Sequence, residues 1–326
     1  MTETQKQIDE LNELIDRILP EETLIKFNIP NEVYHGSKGD SSSKIKDSLQ
    51  SMMFYNARYN TNEIEGPTGA HFDVGNLAHA MILEPETVEH SYLLKPDTPQ
   101  PTQPQRDKYD KWVKLGKPSK EANPKAYPTA LAVERCEFWD DLHAKSEHLK
   151  IVDEENWTLA ENMAKAVNSN PMAKKLLQHP SRNSEVSYFK RDGETGRILK
   201  CRTDIDVGSI IADVKTISLR NKIDEDYLLN ILYSEVVRRK YHLSAAMYCD
   251  ITGADEFLWI FVNKEPNYHW VAVIGASEKL LEQGRELYQK QVTKLQSSTE
   301  LNHWPEPSSI QRTYNPYNER LEIPFI

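Results

Sequence analysis

Hydrophobic positions near the start of the chain recur every three or four residues. Ile8, Leu11, Ile15 and Ile18 form one stripe, which predicts an amphipathic helix over 3–19 ended by Pro20. Such a stripe docks on a core or meets a second subunit. The polar run GSKGDSSSKIK at 36–46 reads as a loop opening a helix near Ser43. Residues 73–84 form a mostly apolar helical stretch closed by Pro85. Seven prolines lie between Pro96 and Pro128, so 95–128 reads as an irregular insertion around a short helix at 106–115. Helical spacing returns over 130–147 and 154–178. The period then switches to two, predicting strands at Ser184–Arg191, Leu199–Val207 and Ile210–Thr216, with DGETG at 192–196 as the turn between the first two. A helix over 224–250, strands at Glu256–Asn263 and Tyr268–Ile274, and a helix over 277–296 complete the pattern. The expected fold is α/β, with a mixed central sheet flanked by helices and a helical N-terminal half.

Composition narrows the function classes. At 326 residues and 38% hydrophobic content the chain can bury a sizeable core. No apolar run approaches the roughly 18–20 residues that cross a bilayer, so no membrane partner is expected. The first twenty residues are too polar for a secretory signal. Cys136, Cys201 and Cys249 are far apart and make no CxxC signature, which points to a reducing, cytoplasmic setting. The net charge of −10 argues against a protein that coats nucleic acid with a broad basic surface. It leaves room for a local basic channel beside an acidic metal site.

Candidate chemistry concentrates in CRTDIDVGSIIADVKT at 201–216. Alternate residues of a strand share a face, so Asp213 and Lys215 point the same way. A bend after Val207 brings Asp204 beside Asp213. Two carboxylates so close repel unless a divalent cation lies between them, and hard oxygen ligands suit magnesium, or manganese in its place. A neighbouring lysine can orient a water and offset phosphate charge. A bare D-x8-D-x-K recurs by chance, as a solvated strand edge with one ion pair. Here, however, Asp213 follows the buried-strand run Ile210-Ile211-Ala212, where burying charge is costly. Gly75 and His79 stand one helical turn apart, so His79 is either a satisfied core histidine or a metal ligand. Glu185 is either a surface glutamate on an edge strand or a further carboxylate for the metal. Tyr241, Ser244 and Tyr248 share a helix face, where their hydroxyls serve either packing or phosphate contact.

Together these segments resemble the RecE-type exonuclease family of the PD-(D/E)xK nuclease superfamily. The resemblance runs from about Ile29 to Pro305, through IPNEVYH, SSSKI, GNLAHAMILEPE, KCRTD, ADVKT, YHLSAAMY and HWP. It implies a PD-(D/E)xK nuclease core over 29–306, preceded by the N-terminal helix at 1–28 and followed by a tail at 307–326. It implies that His79, Asp204, Asp213 and the Val214 carbonyl bind metal, and that Lys215 is the catalytic lysine. Glu185 falls near the family's upstream acidic position. Ser41, Ser43 and Lys44 match a segment that touches the DNA backbone. Tyr248 matches the tyrosine of a Q-x3-Y motif, with Ser244 where the family has glutamine. Arg202, Arg238, Arg239 and Lys240 are candidates for the cationic DNA path.

The implied activity is magnesium-dependent 5′→3′ digestion of double-stranded DNA ends. It leaves 3′ single-stranded tails for recombination by an annealing protein, in a phage or prophage setting, and is performed by a homo-oligomeric ring. Two other readings compete: another PD-(D/E)xK nuclease, such as an endonuclease or a Cas4-like end-processing enzyme, and a non-catalytic DNA-binding protein on this fold.

Overall fold

The computed structural model describes residues 2–65, 73–146, 149–220 and 225–306, and the backbone of 313–315 and 320–322. The chain forms two compact units, Met1–Ala70 with Lys165–Ile326, and His71–Ala164. The first opens with α1 (Glu3–Asp16), β1 (Thr23–Lys26), α2 (Asn31–Gly36), β2 (Asp40–Ser41), α3 (Ser42–Gln50) and α4 (Met52–Tyr55). The second contains α5 (Asp73–Leu83), α6 (Val88–Ser91), β3 (Tyr92–Leu94), α7 (Gln103–Lys114), α8 (Ala130–Lys145), β4 (Lys150–Val152) and the start of α9 (Glu154–Ser169). The first unit then resumes with α10 (Pro171–Leu177), β5 (Val186–Arg191), β6 (Ile198–Thr203), β7 (Ile205–Asp206) and β8 (Ile210–Ile217). It ends with α11 (Glu225–Arg238), α12 (Tyr241–Thr252), β9 (Glu256–Asn263), β10 (Val271–Gly275), α13 (Glu278–Leu301) and the small pair β11 (Thr313–Asn315) and β12 (Arg320–Glu322). Apart from that pair, the tail at 307–326 lies outside the described residues. Among the described residues no helix is long and apolar enough to cross a membrane.

The expected mixed α/β architecture is present, but its sheet comes in two sections. One runs β1-β5-β6-β2 and the other β10-β9-β8-β7. The predicted strand Leu199–Val207 does not stay in one sheet: it leaves the first after Thr203 and enters the second at Ile205. α12 lies under both sections. Its Leu243, Ala246 and Met247 pack with Val186, Tyr188, Leu199 and Cys201 of the first, while Ala245 and Cys249 pack with Ile211, Phe257, Trp259 and Phe261 of the second. Burying aromatic side chains of this size contributes about 1.5–3 kcal/mol each. α13 can lie against α12 because Gly284 has no Cβ; one built there would collide with the His242 carbonyl.

Two predicted helices are broken. The stretch 154–178 divides at Asn170, whose Oδ1 accepts from the backbone N–H groups of Met172 and Ala173, both at 3.0 Å, with Pro171 opening the new helix. The stretch 224–250 divides at Lys240, which adopts a left-handed conformation (φ 53°). The strand β1 was not expected; it pairs antiparallel with β5 at the sheet edge. In the second unit, the helix within the proline-rich insertion starts earlier than expected, at Gln103, where Thr102 and Gln105 form a capping box.

Candidate metal centre

Strand register gathers the acidic residues of the first unit. β5 and β6 pair Val186 with Thr203, and two residues upstream of Glu185 the same register continues as the bridge Asn183↔Asp206. Glu185 therefore lies opposite Asp204. β7 and β8 pair Ile205 with Ala212, so one step further along places Asp204 opposite Asp213. Residues directly opposite in a sheet point to the same face. Asp204 is thus flanked by one carboxylate on each side, at the point where its strand passes between the two sheet sections.

The backbone holds this arrangement in place. The Val214 N–H donates to the Asp204 carboxylate at 2.7 Å. Asp204 and Asp213 are 9% and 8% exposed, so water screens their charges poorly. Lys215, two residues along β8, forms an ion pair with Asp213. Burial acts to lower the Lys215 pKa, yet Asp213, Asp204, the hydrogen bond to Asp213 and Tyr241 outweigh it and raise it above the ordinary lysine value. Lys215 is therefore a charged donor at neutral pH. The neighbouring Asp206 has other work: it accepts from the Tyr188 hydroxyl and, at 2.8 Å, from the Gly208 N–H of the turn.

Glu185 is not on an edge strand, as one of its two sequence readings had it; it immediately precedes β5, an interior strand, with a left-handed backbone (φ 52°). That conformation is uncommon for a residue bearing a Cβ and is held only where the surroundings over-determine it. The Glu185 carboxylate lies 3.9 Å from the Arg202 guanidinium. Arg202 itself is tied into the fold. It donates to Ser187 Oγ (3.0 Å), Asn31 Oδ1 (2.6 Å) and the Ile29 carbonyl (2.9 Å), and stacks on Tyr34 at 4.2 Å. These contacts make it a clamp between β6 and the segment before α2.

Most of the remaining sequence candidates have local contacts of their own. Ser41 caps α3, accepting from the Lys44 N–H at 3.4 Å. The Lys44 ammonium donates to the Gly39 carbonyl at 3.1 Å and lies over the Tyr59 ring, facing a cleft of about 320 Å³ shared with Asp40, Tyr55 and Arg197. Ser43 is exposed and Ser244 half-buried. Tyr248 packs edge-on against Phe257, and burial holds its hydroxyl protonated, with Tyr34, Cys201, Asp213 and Asp204 acting in the same direction. Arg238, the last residue of α11, and Arg239, just beyond it, both pair with Glu235 of that helix. His79 lies half-buried on α5 of the second unit.

One residue beside the centre, Lys46, was not singled out from the sequence; it meets Tyr241, which was. The Lys46 ammonium lies over the Tyr241 ring at 5.4 Å, and the Lys215 ammonium over the same ring at 5.3 Å. Burial, with repulsion from Lys215, pushes the Lys46 pKa down to about 8; Asp213 opposes this, Lys240 adds to it and Asp47 opposes it. The available signal was weak: a lysine two residues after Lys44 on the same helix.

A family profile described as a PDDEXK-like domain of unknown function (DUF3799) matches residues 41–311. Among solved structures, the chain resembles a "Putative exonuclease" from Eubacterium rectale, with a TM-score of 0.55 and 13% identity over 92% of this chain and 97% of that one. At that identity the likeness bears on the fold. A protein named SSO0001 (13% identity, TM-score 0.23, 68% of this chain and 86% of that one) and VC1899 from Vibrio cholerae (12%, 0.17, 87% and 60%) are too distant in shape to carry an argument. No curated protein matches the sequence.

Proposed function

Since this chain belongs to the PDDEXK-like family DUF3799 and carries a PDDEXK-like nuclease fold, we propose that it is a metal-dependent exonuclease acting on the ends of double-stranded DNA. The observation that carries the reading is the gathering of Glu185, Asp204 and Asp213 at the junction of the two sheet sections, with Lys215 beside them.

The donor set fits a divalent cation. Carboxylates at consecutive facing positions, largely screened from water, repel one another, and that repulsion is what a hard cation relieves. Asp204 and Asp213 would hold the ion, with the Val214 carbonyl, Glu185 and, by the resemblance to RecE-type enzymes, His79. Magnesium or manganese bound there supplies a Lewis acid for the phosphate and a more acidic water. Asp213 fixes the Lys215 side chain through their ion pair, and Lys215, protonated, donates a hydrogen bond to the attacking water or to a phosphate oxygen. The Val214 N–H keeps the Asp204 carboxylate from rotating. The 5′→3′ polarity, a ring of subunits and an annealing partner enter this reading through the same resemblance.

The test is digestion of linear and closed circular duplexes, labelled at either end, with magnesium and with chelator. Linear DNA should be shortened from its 5′ ends and circles spared. Lys215→Ala should lower the rate by roughly 10²–10³-fold while the protein stays folded. Nicked or linearised circles would point to an endonuclease, and digestion that persists in chelator would remove the metal from the mechanism.

A further inference from the structure

The Lys46 ammonium lies beside the acidic centre without being tied to any one carboxylate. It reaches from α3 to the Tyr241 ring, which also carries the Lys215 ammonium. Lys215 is neutralised by Asp213. Among the described residues, no hydrogen bond or ion pair serves Lys46. Asp47, next to it in sequence, turns instead to Arg58 (3.0 Å) and the Tyr59 hydroxyl (2.6 Å). Lys44, on the same helix, is spent on the Gly39 carbonyl.

A half-buried ammonium with no acceptor, next to a second ammonium, is costly to maintain. An aromatic face offsets only part of that cost, about 0.5–2 kcal/mol. What the arrangement lacks is an anion with several oxygens. From this geometry we infer that Lys46 receives a non-bridging oxygen of the backbone phosphate adjoining the one cleaved, with Tyr241 as the spacer that keeps it apart from Lys215. The inference rests on the nuclease reading above and assigns the residue that seats the neighbouring nucleotide. Tyr241 is then a positioning residue, holding the two ammonium groups at two phosphates rather than letting both meet Asp213.

The experiment measures steady-state digestion of a linear duplex by wild type, Lys46→Met and Lys46→Arg over a salt series. Equilibrium binding of the same duplex is measured with calcium replacing magnesium. Loss of one phosphate contact should raise KM and Kd about tenfold and reduce the slope of log Kd against log salt by about one. The turnover number should change less than about threefold, and Arg should restore KM to within about threefold of wild type. Unchanged KM and salt slope in Lys46→Met overturn the assignment. So does a fall in kcat with KM unmoved, since the lysine would then act on the chemical step. A loss of melting temperature that Arg does not restore assigns Lys46 to the fold instead; if the Met variant unfolds, Lys46→Gln gives the same reading. Wild-type protein that neither binds nor digests duplex DNA defeats the nuclease reading itself. Wild-type digestion with an indifferent Lys46→Met defeats this inference alone.

Discussion

Two groups of partly or fully buried charge in the first unit are built on opposite plans. Around Asp250, every carboxylate oxygen is answered. Arg285 grips it through Nε and a terminal nitrogen at 2.8–3.2 Å, Tyr288 donates to it at 2.5 Å, and Glu282 at 2.8 Å engages the rest of the guanidinium. Around Asp204, carboxylates face one another across three positions, with Lys215 paired to Asp213 at one end and Arg202 near Glu185 at the other. The first plan satisfies the Asp250 oxygens with the chain's own donors and ties α12 to α13. The second sets like charges at facing positions, held there by the backbone register. The difference separates an ion pair that serves the fold from a cluster whose chemistry suits a divalent cation.

Variants can break this contrast. The largest effect is expected from Asp204→Asn, which should cost at least about 10³-fold in digestion rate. In chelator, however, the variant should be no less stable than wild type, because an amide still accepts from the Val214 N–H while one repelling charge is gone. Wild type should melt at a higher temperature with saturating magnesium, by the roughly 2–4 kcal/mol that a ligand at 100–1,000 times its Kd contributes; Asp204→Asn should lose that response. Equal magnesium stabilisation of the two proteins would show that the ion binds elsewhere. Arg285→Met should behave in the opposite way, losing roughly 1–3 kcal/mol in a urea melt with or without magnesium. That is less than a fully buried pair would cost, because the Arg285 and Asp250 side chains are 31% and 26% exposed. Its turnover per folded molecule should match wild type, and a specific loss of activity would erase the distinction between the two plans.

The smallest effect concerns Lys200, a third arrangement: a lysine 1% exposed that donates to the Tyr34 carbonyl (2.6 Å), the Ser37 carbonyl (2.7 Å) and Ser37 Oγ (3.2 Å). Burial pushes its pKa down to about 7, with Lys44 adding repulsion, Asp40 opposing and Arg202 adding again. Between pH 7 and the ordinary lysine value, the unfolded chain binds more protons at this site than the folded one. Its charge therefore costs stability below pH 7, and the cost is relieved as the pH rises. Wild type should gain stability relative to Lys200→Met between pH 7 and 9; denaturant midpoints that run parallel over that range would refute the assignment.

The period-two run at 210–216 was enough to place Asp213 and Lys215 on one face, because a strand's alternation is local. The pairing partners were less accessible. Asp204 reads as one position inside a strand, but it is the junction between two sheet sections, and no local signal marks such a transfer. The left-handed backbone at Glu185 and Lys240 was equally hidden, since neither residue is one that favours that conformation. The break at 170–171 was written in the sequence as Asn-Pro but lay inside a continuous apolar pattern. Lys46 depends on where α3 packs relative to Tyr241, which no spacing encodes.

The turn at 207–209 between β7 and β8 sets which residue faces Asp204. One residue inserted there, with the hairpin otherwise kept, would present Ala212 in place of Asp213 and turn the lysine to the opposite side of the sheet. The number of residues in this short connection is therefore as much a requirement of the acidic centre as the aspartates it brings together, and related chains that keep the chemistry should vary its composition but not its length.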